Sequence, residues 1–282
     1  MFPQPIQKAG PLANISYRVA LPFTIILWLL PLLAVMLTSL RSIDDINKGN
    51  YWGWPEEIHF VENYTQVFTS TAMGDYLLNS LMITIPSVMG AVALSTLAGF
   101  ALAKYRFKGN IWIFALFIGG NFVPFQILMI PVRDLTITLG LYDTHWALIF
   151  FHVAFQAGFC TLFMRNFIVG IPDALIEAAR VEGVKEWRIF TFIVLPLVRP
   201  ALAALAVLVF TFIWNDYFWA LVLVQSDDVR PVTAGLSSLQ GQWLASWQFM
   251  SAGAVVAAIP PVMLFFAMQK HFIAGLTLGA TK

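Results

Sequence analysis

The residue best suited to chemistry is Asp216, the one full charge within a long apolar segment at residues 200–225. A carboxylate inside a membrane span costs several kcal/mol on a lipid-facing side, so Asp216 is expected to face other helices or water. Trp214, Asn215 and Tyr217 adjoin it and add two aromatic rings and an amide. Asp216 can line or gate a solute path, take up a proton, or pair with an amide or backbone group that holds helices together.

Other kinds of chemistry have few residues to support them in this sequence. It has no G-x-x-x-x-G-K-[ST] phosphate loop, no H-E-x-x-H motif and no G-x-S-x-G motif. Cys160 is the single cysteine, and His145 and His152 would need a third partner to bind a metal. We therefore predict a non-catalytic chain that binds no cofactor or metal and uses both histidines for packing or hydrogen bonding.

The composition places these residues in a lipid bilayer. Of the 282 residues, 59% are hydrophobic and 11% are charged, whereas a soluble domain carries about 25% charged residues. A mean hydropathy of +0.78 would require a soluble fold to bury more apolar surface than one core accommodates. The net charge of +1 leaves no basic field for nucleic acid, which excludes that class of partner.

Six segments are long and apolar enough to cross a bilayer as helices, which requires about 20 residues each. Apart from Asp216 in the fifth, they contain no Lys, Arg, Asp or Glu. They also lack the alternation of apolar and polar residues typical of barrel strands. We predict an all-α membrane protein whose six transmembrane helices occupy residues 19–40, 77–103, 111–132, 144–164, 200–225 and 249–269.

The Lys and Arg residues outside these spans predict the topology. Twelve lie in the two terminal segments and the second and fourth connecting loops, and four lie in the other loops. Since cytoplasmic loops retain positive charge, both termini are predicted to be cytoplasmic. The chain then divides into a leader at 1–18, a six-span domain at 19–269 and a tail at 270–282. Asp216 would lie about 24 Å along a continuous fifth helix, in the outer half of the bilayer.

The fourth loop, residues 165–199, is long and contains its own helix signals. Pro172 and Asp173 are typical of a helix start, and Gly183 is typical of a helix end, so two short helices are expected. Charged residues such as Glu177 and Arg180 could set the register against a partner protein, while the alanines allow close packing. A simple connector lying on the membrane surface is the alternative.

The motif in this loop favours a partner. It contains Glu177-Ala178-Ala179, then Gly183 and Ile193, then Leu195-Pro196. With that spacing the loop resembles the EAA signature of permease subunits in binding-protein-dependent ABC importers. The resemblance implies a coupling helix that docks in a cleft of an ATPase subunit. Glu177 would then make polar contact, Ala178 and Ala179 would permit close approach, and Gly183 would supply the turn.

Further segments resemble carbohydrate importers of the maltose and glycerol-phosphate type, and in particular the shorter of their two permease subunits. These segments cover most of the chain from the first span onward. They are Asn79-Ser80-Leu81, residues 98–103, Trp214-Asn215-Asp216, Ala252-Gly253-Ala254, Ile259-Pro260, Gly275-Leu276-Thr277 and Gly279-Ala280.

The resemblance implies a fold, a set of partners and a mechanism. The fold is that of type I ABC importer permeases in the bacterial inner membrane. The partners are a second permease subunit, two copies of an ATPase subunit that uses ATP and Mg, and an extracytoplasmic sugar-binding protein. Transport would occur by alternating access, and the substrate would be an oligosaccharide or a related polyol or sugar phosphate. Trp214, Asn215, Asp216 and Tyr217 are candidates for the sugar path.

Other interpretations remain open at this stage. An ion-coupled secondary transporter would use Asp216 to take up a proton and would need no ATPase. A membrane-embedded enzyme would require acidic residues that are less scattered than these. Within the importers, amino-acid and phosphate permeases share the EAA loop, and the sugar and its length are not specified by the residues.

Overall fold

The computed structural model describes residues 10–49, 52–242 and 247–278. Within these ranges every regular element is helical and no strand occurs, as predicted. The residues form two compact units. One contains the described residues up to Thr71 and those between Leu239 and Val256, and the other contains residues 72–238 and the described residues from Ala257 onward. The start of the predicted leader (1–9) and the end of the predicted tail (279–282) lie outside the described residues.

The first unit begins with three helices, α1 (Pro11–Thr38), α2 (Ile43–Asn47) and α3 (Phe60–Thr69). Many of the described large apolar side chains of α1 are exposed, which suits a helix in an apolar environment. After α1, the buried side chains of Arg41 and Asp45 form an ion pair of 2.7 Å. Asn63 on α3 donates hydrogen bonds of 2.9 Å to the carbonyl oxygens of Ser39 and Arg41. These bonds attach the segment after α1 to α3.

The second unit contains most of the remaining helices, and the last two helices contribute residues to both units. In chain order the remaining helices are α4 (Met73–Lys104), α5 (Asn110–Gly120), α6 (Met129–Thr138), α7 (His145–Val169), α8 (Asp173–Val181), α9 (Glu186–Ile189), α10 (Leu195–Leu197), α11 (Arg199–Trp214), α12 (Phe218–Leu223), α13 (Val232–Gln242) and α14 (Trp247–Leu278). Short 3-10 turns occupy Phe125–Leu128 and Asp227–Val229, and a π-helical turn occupies Phe190–Val194.

Four of the described segments are long and apolar enough to cross a membrane as single helices, namely Asn14–Thr38, Met73–Lys104, His145–Val169 and Trp247–Lys270. Two bent pairs raise the number to six if each pair counts as one span. The first pair, Asn110–Gly120 with Phe125–Thr138, bends by 90°, and the second, Glu186–Leu197 with Arg199–Trp214, bends by 76°. The number of predicted spans equals this upper number, but the second pair begins at Glu186, within the predicted fourth loop, and ends at Trp214, before the predicted end of the fifth span at residue 225.

The third predicted span, residues 111–132, is not one continuous helix. Its first part, α5, ends in Gly119-Gly120, and Pro124 precedes the 3-10 turn that leads into α6. Glycine lowers helix stability and proline has no N–H to donate, so the helical hydrogen bonds are interrupted here. The second part then continues past the predicted end, to Thr138.

The prediction of a continuous fifth helix over residues 200–225 is wrong. The helix α11 ends at Trp214, and α12 begins at Phe218. Between them, the Asp216 carboxylate accepts hydrogen bonds from the main-chain nitrogens of Trp219 and Ala220, at 3.4 and 3.2 Å. A side chain that caps the next helix favours a new start over continuation of the old helix. Asp216 therefore lies in a break between helices.

Close packing of α4 against α7 forms the centre of the second unit. A Cβ atom added to Gly99 would lie 3.0 Å from the main-chain nitrogen of Arg165 and 3.2 Å from the Cβ of Met164. Small residues at such contacts allow two helices to approach closely in a membrane. Because α7 leads directly into the fourth loop, this packing also positions the loop.

Candidate functional site

The fourth loop folds into the two short helices predicted from its sequence. Pro172 precedes the first residue of α8, Asp173, and α8 ends at Val181. Gly183 has φ +75°, a backbone conformation that favours glycine, and α9 begins three residues later at Glu186. Gly183 thus makes the predicted turn between the helices.

The two faces of α8 differ sharply in exposure. Ile176 is 1% exposed and packs into the core, whereas Glu177 and Ala178 are exposed and Ala179 is half-buried. Val181, at the end of the helix, is 87% exposed. The face that carries Glu177 and Ala178 is therefore available to a partner in the isolated chain.

The start of α8 is bonded to the end of α4. The Nζ atom of Lys104 donates hydrogen bonds of 2.6 Å both to the carbonyl oxygen of Ile171 and to the carboxylate of Asp173. The hydrogen bond from Lys104 lowers the pKa of the Asp173 carboxyl, because it stabilises the charged form.

The end of α8 is bonded to α9 and to Tyr105. Arg180 donates two hydrogen bonds to the Glu186 carboxylate, at 2.6 and 3.2 Å, and Tyr105 donates a third at 2.5 Å. The Arg180 guanidinium also lies over the Tyr105 ring, 5.4 Å from its centroid. The hydrogen bonds from Arg180 lower the pKa of the Glu186 carboxyl. Partial burial opposes this effect, and the hydrogen bond from Tyr105 adds to it. Arg180, a predicted coupling residue, thus has its partners within this chain.

Leu195 and Pro196 lie beyond α9, in the chain that leads to α11. Leu195 packs against the hydrophobic core. Its main-chain nitrogen bonds to the carbonyl oxygen of Phe190, which closes the π-helical turn before it. Because Pro196 has no main-chain N–H, it cannot donate the hydrogen bond that an α-helix requires at this position. The Leu195-Pro196 pair therefore directly follows a turn with π-helical hydrogen bonding. The structure places both residues on the connection to α11 and not on the exposed face of α8.

A cavity of about 780 Å³ lies beside the break between α11 and α12. Its size is within the range of roughly 300–1,000 Å³ that is usual for small-molecule sites. Aromatic rings form most of the wall, and five polar side chains interrupt them. The lining residues are Phe125, Phe151, His152, Phe155, Gln156, Val207, Leu208, Thr211, Phe212, Asn215, Asp216, Tyr217, Phe218, Trp219 and Phe265.

Three of the four predicted path residues line this cavity. Asn215 donates a hydrogen bond of 2.8 Å to the Thr211 carbonyl oxygen, and the Tyr217 hydroxyl lies 2.7 Å from the Ser237 hydroxyl. Asp216 caps α12, as described above. Trp214 does not line the cavity, since it is 2% exposed and donates a hydrogen bond of 3.0 Å to the carbonyl oxygen of Ala257. Its indole attaches α11 to α14.

The sequence reasoning missed the contribution of α7 to this wall. His152 and Gln156 lie four residues apart, so they share one face of the helix and both reach the cavity. The His152 side chain is buried, and its Nε2 atom lies 3.7 Å from the Asp216 carboxylate. The four-residue spacing of two polar residues in an apolar helix was the available signal. His145 instead lies 2.9 Å from the amide oxygen of Asn79, a hydrogen-bonding role as predicted.

A second set of contacts explains the Asn79-Ser80 pair noted in the sequence. The Asn79 amide donates hydrogen bonds to the carbonyl oxygens of Asp228 and Arg230, at 2.9 and 3.1 Å. The Ser80 hydroxyl accepts a hydrogen bond of 2.8 Å from the main-chain nitrogen of Val232. These bonds attach the start of α4 to the segment between α12 and α13.

The chain therefore combines apolar spanning helices, an exposed EAA helix on a connecting loop and a cavity between the spans. These are the features of a permease subunit of a transport system. Comparison with known families agrees. Residues 91–277 match the binding-protein-dependent transport system inner membrane component family. The chain belongs to this family, which comprises the non-catalytic permease subunits of ABC importers.

Curated relatives extend over nearly the whole chain. The osmoprotective compounds uptake permease GgtD of Synechocystis sp. is 37% identical, over 91% of this chain and 88% of its own length. The arabinooligosaccharides transport permease AraQ of Halalkalibacterium halodurans is 34% identical, over 98% of this chain and 99% of its own length. The melibiose/raffinose/stachyose import permease MelC of Bacillus subtilis is 32% identical, over 90% of this chain and 91% of its own length. This family assignment supports an ABC importer permease and lends no support to the ion-coupled alternative.

A solved structure shows the same fold. A chain of a bacterial ABC transporter involved in the import of the acidic polysaccharide alginate has a TM-score of 0.78 to this chain. The match covers 96% of this chain and 99% of the other, at 22% identity. The protein thus has the type I ABC importer permease fold predicted from the EAA resemblance.

Proposed function

We propose that this chain is a permease subunit of an ATP-driven importer for neutral oligosaccharides or related polyols. The observation that carries the proposal is the EAA helix α8, which is held on the surface with Glu177 and Ala178 exposed. The proposal is supported by relatives that are named for the transport of osmoprotective compounds, of arabinooligosaccharides, and of melibiose, raffinose and stachyose.

The proposed complex contains this chain, a second permease subunit, two ATPase subunits and an extracytoplasmic sugar-binding protein. It lies in the bacterial cytoplasmic membrane with both termini of this chain inside, which agrees with the distribution of Lys and Arg. The six-span domain is 19–269, flanked by a leader at 1–18 and a tail at 270–282. ATP and Mg act in the ATPase subunits, and this chain supplies no group for hydrolysis.

The coupling helix α8 would dock in a cleft of the ATPase subunit. Glu177 makes a polar contact there, Ala178 and Ala179 allow close approach, and Gly183 sets the angle to α9. Arg180 holds that angle through Glu186, and Leu195-Pro196 connects the pair of helices to α11. When ATP binding closes the ATPase subunits, the movement of α8 switches the spanning helices between inward-open and outward-open states.

The cavity beside Asp216 would form part of the sugar path. Sugar rings present apolar faces and hydroxyl edges, which suit a wall of aromatic rings interrupted by amides and a carboxylate. Asn215, Asp216 and Tyr217 would contact the sugar, while Trp214 supports the wall from behind.

The test is purification of the tagged chain in detergent, with mass spectrometry of its partners and an ATPase assay. Recovery of an ATPase subunit and a second permease is expected. The complex is then reconstituted in liposomes with its binding protein and supplied with labelled raffinose, arabinotriose or an alginate trisaccharide. ATP-dependent uptake of a neutral sugar supports the proposal. A chain without partners, or uptake driven by a proton gradient, contradicts it.

A further inference from the structure

The carboxyl-terminal end of α4 contacts both ends of the coupling helix. Lys104 is the last residue of α4, and its side chain is 4% exposed. It binds Asp173, the first residue of α8, and the Ile171 carbonyl oxygen just before it, each at 2.6 Å. Its neighbour Tyr105 binds Glu186 at 2.5 Å, and Glu186 in turn holds Arg180 in the last turn of α8.

We call this set of residues the α8 clamp, and it consists of Lys104, Tyr105, Asp173, Arg180 and Glu186. A single exposed ion pair contributes little to stability. The α8 clamp is different, because the ammonium group of Lys104 is shielded from water and is satisfied by two oxygens of the loop. The clamp also contacts α8 at two separate points, its first residue through Lys104 and its last turn through Tyr105, Glu186 and Arg180.

Aromatic contacts next to the α8 clamp also join the end of α4 to the fourth loop. The rings of Phe100 and Tyr105 meet edge to face, with centroids 5.5 Å apart. Phe100 also contacts Phe190, in the π-helical turn after α9, with centroids 5.3 Å apart. Phe100 and Phe190 are both buried. The start of the loop and the turn after α9 therefore both contact the end of α4.

The other end of α4 holds the segment between α12 and α13. Asn79 and Ser80 bind the main chain at Asp228, Arg230 and Val232, as described above. The 32 residues of α4 correspond to a rod of about 48 Å. One helix thus contacts the coupling helix at one end and, at the other, the segment that follows the break at Asp216.

We propose that Lys104 and Tyr105 are positioning residues that make α4 move together with α8, so that displacement of the coupling helix reaches the segment 228–232 through α4. This proposal rests on the proposed function, since it requires α8 to be the helix that the ATPase subunit moves. In this arrangement Glu177 and the alanines bind the ATPase subunit, and the α8 clamp transmits its movement.

The test measures coupling, because a merely structural role would affect assembly and activity together. The variants are Lys104→Met, Lys104→Arg and Tyr105→Phe in the complete complex in liposomes, with Lys108→Met as the matched control. Lys108 is an exposed lysine in the loop after α4, four residues beyond Lys104. The readouts are retention of the ATPase subunit, ATPase activity, and the number of labelled sugars imported per ATP hydrolysed.

For Lys104→Met we expect retained ATPase subunit, ATPase activity within about twofold of the unaltered complex, and at least a fivefold loss of sugar imported per ATP. Tyr105→Phe, which removes one hydroxyl and so leaves folding least affected, should lose two- to threefold. Lys104→Arg keeps a charged donor and should restore most of the coupling. Lys108→Met should match the unaltered chain.

Unchanged sugar import per ATP in both Lys104→Met and Tyr105→Phe would overturn the proposal. So would a parallel loss of the ATPase subunit from both variants, since that result describes a purely structural role. Failure of the proposed function gives a different result, because the unaltered complex would then show no ATP-dependent sugar import at all.

Discussion

The Nε2 atom of His152 lies 3.7 Å from a carboxylate oxygen of Asp216, and the two side chains are 6% and 15% exposed. The histidine belongs to α7 and the aspartate to the break between α11 and α12. The same carboxylate accepts hydrogen bonds from the main chain of α12. Asp216 therefore has a definite structural role as a helix cap, in addition to its place on the cavity wall.

Substitution of Asp216 should separate these two roles. Asp216→Ala removes the cap, which costs about 1 kcal/mol, and removes the polar group from the cavity. Asp216→Asn keeps an oxygen that can cap the helix but loses the charge. We expect a lower thermal midpoint only for the alanine variant, and roughly tenfold slower sugar uptake for both, measured on the purified complex and in liposomes.

The control for removal of a charge is Asp134→Asn, because the Asp134 side chain is exposed. Normal uptake in both Asp216 variants would show that the carboxylate acts as a cap alone and takes no part in the sugar path.

Substitution of Glu177 tests the coupling surface. The side chain is exposed on α8, so Glu177→Lys should not disturb the fold of the chain. Reversal of its charge at an interface should weaken binding of the ATPase subunit by roughly tenfold, with loss of sugar uptake in proportion. The measurements are the amount of ATPase subunit that co-purifies and the rate of uptake in liposomes.

The control for this substitution is Glu57→Lys, which reverses another exposed carboxylate far along the chain. Equal recovery of the ATPase subunit with Glu177→Lys and with the unaltered chain would contradict the assignment of α8 as the docking helix.

Gly183→Ala tests the turn between α8 and α9. A Cβ at this position would touch nothing within 4 Å, so the cost arises from the positive φ of +75° alone. An alanine held in this conformation is strained by about 1 kcal/mol. We expect a changed angle between the helices and weaker recovery of the ATPase subunit, with normal insertion of the chain in the membrane.

Gly74→Ala is the matched control, since Gly74 also has open space around it but has no positive φ. If both alanine variants recover the ATPase subunit equally, the turn at Gly183 does not set the docking geometry.

The carboxyl groups of the α8 clamp predict a dependence on pH. Hydrogen bonds from Lys104 lower the pKa of Asp173, and those from Arg180 lower the pKa of Glu186. A lowered pKa means that the stabilisation is complete above the ordinary carboxyl pKa of about 4. It is lost as the pH falls through the lowered values. We expect the attachment of α8 to be constant from pH 8 to 5 and to weaken below about pH 4.

An environment-sensitive fluorophore on Val181→Cys reports this weakening, because Val181 is exposed while Cys160 is buried. Lys104→Met should move the transition toward higher pH, since Asp173 then loses its partner. A transition at the same pH with and without Lys104 would contradict the proposed cause.

Much of this architecture could be predicted because its causes are local. A run of apolar residues partitions into lipid whatever follows it, so the spanning segments are evident from their residues alone. The turn at Gly183 and the helix start at Asp173 also depend on short-range backbone geometry and capping. The EAA spacing could be recognised for the same reason, since its residues lie within one loop.

Contacts between distant residues required the three-dimensional structure. Hydropathy does not register a break inside an apolar run, so the end of α11 at Trp214 was missed. Trp214 could equally have faced a cavity or a helix, and only the hydrogen bond to the Ala257 carbonyl oxygen settles its direction. Lys104 and Asp173 are 69 residues apart, and they meet because Gly99 lets α4 and α7 pack closely. Contacts of this kind depend on how whole helices pack against one another, and they cannot be predicted from a local pattern of residues.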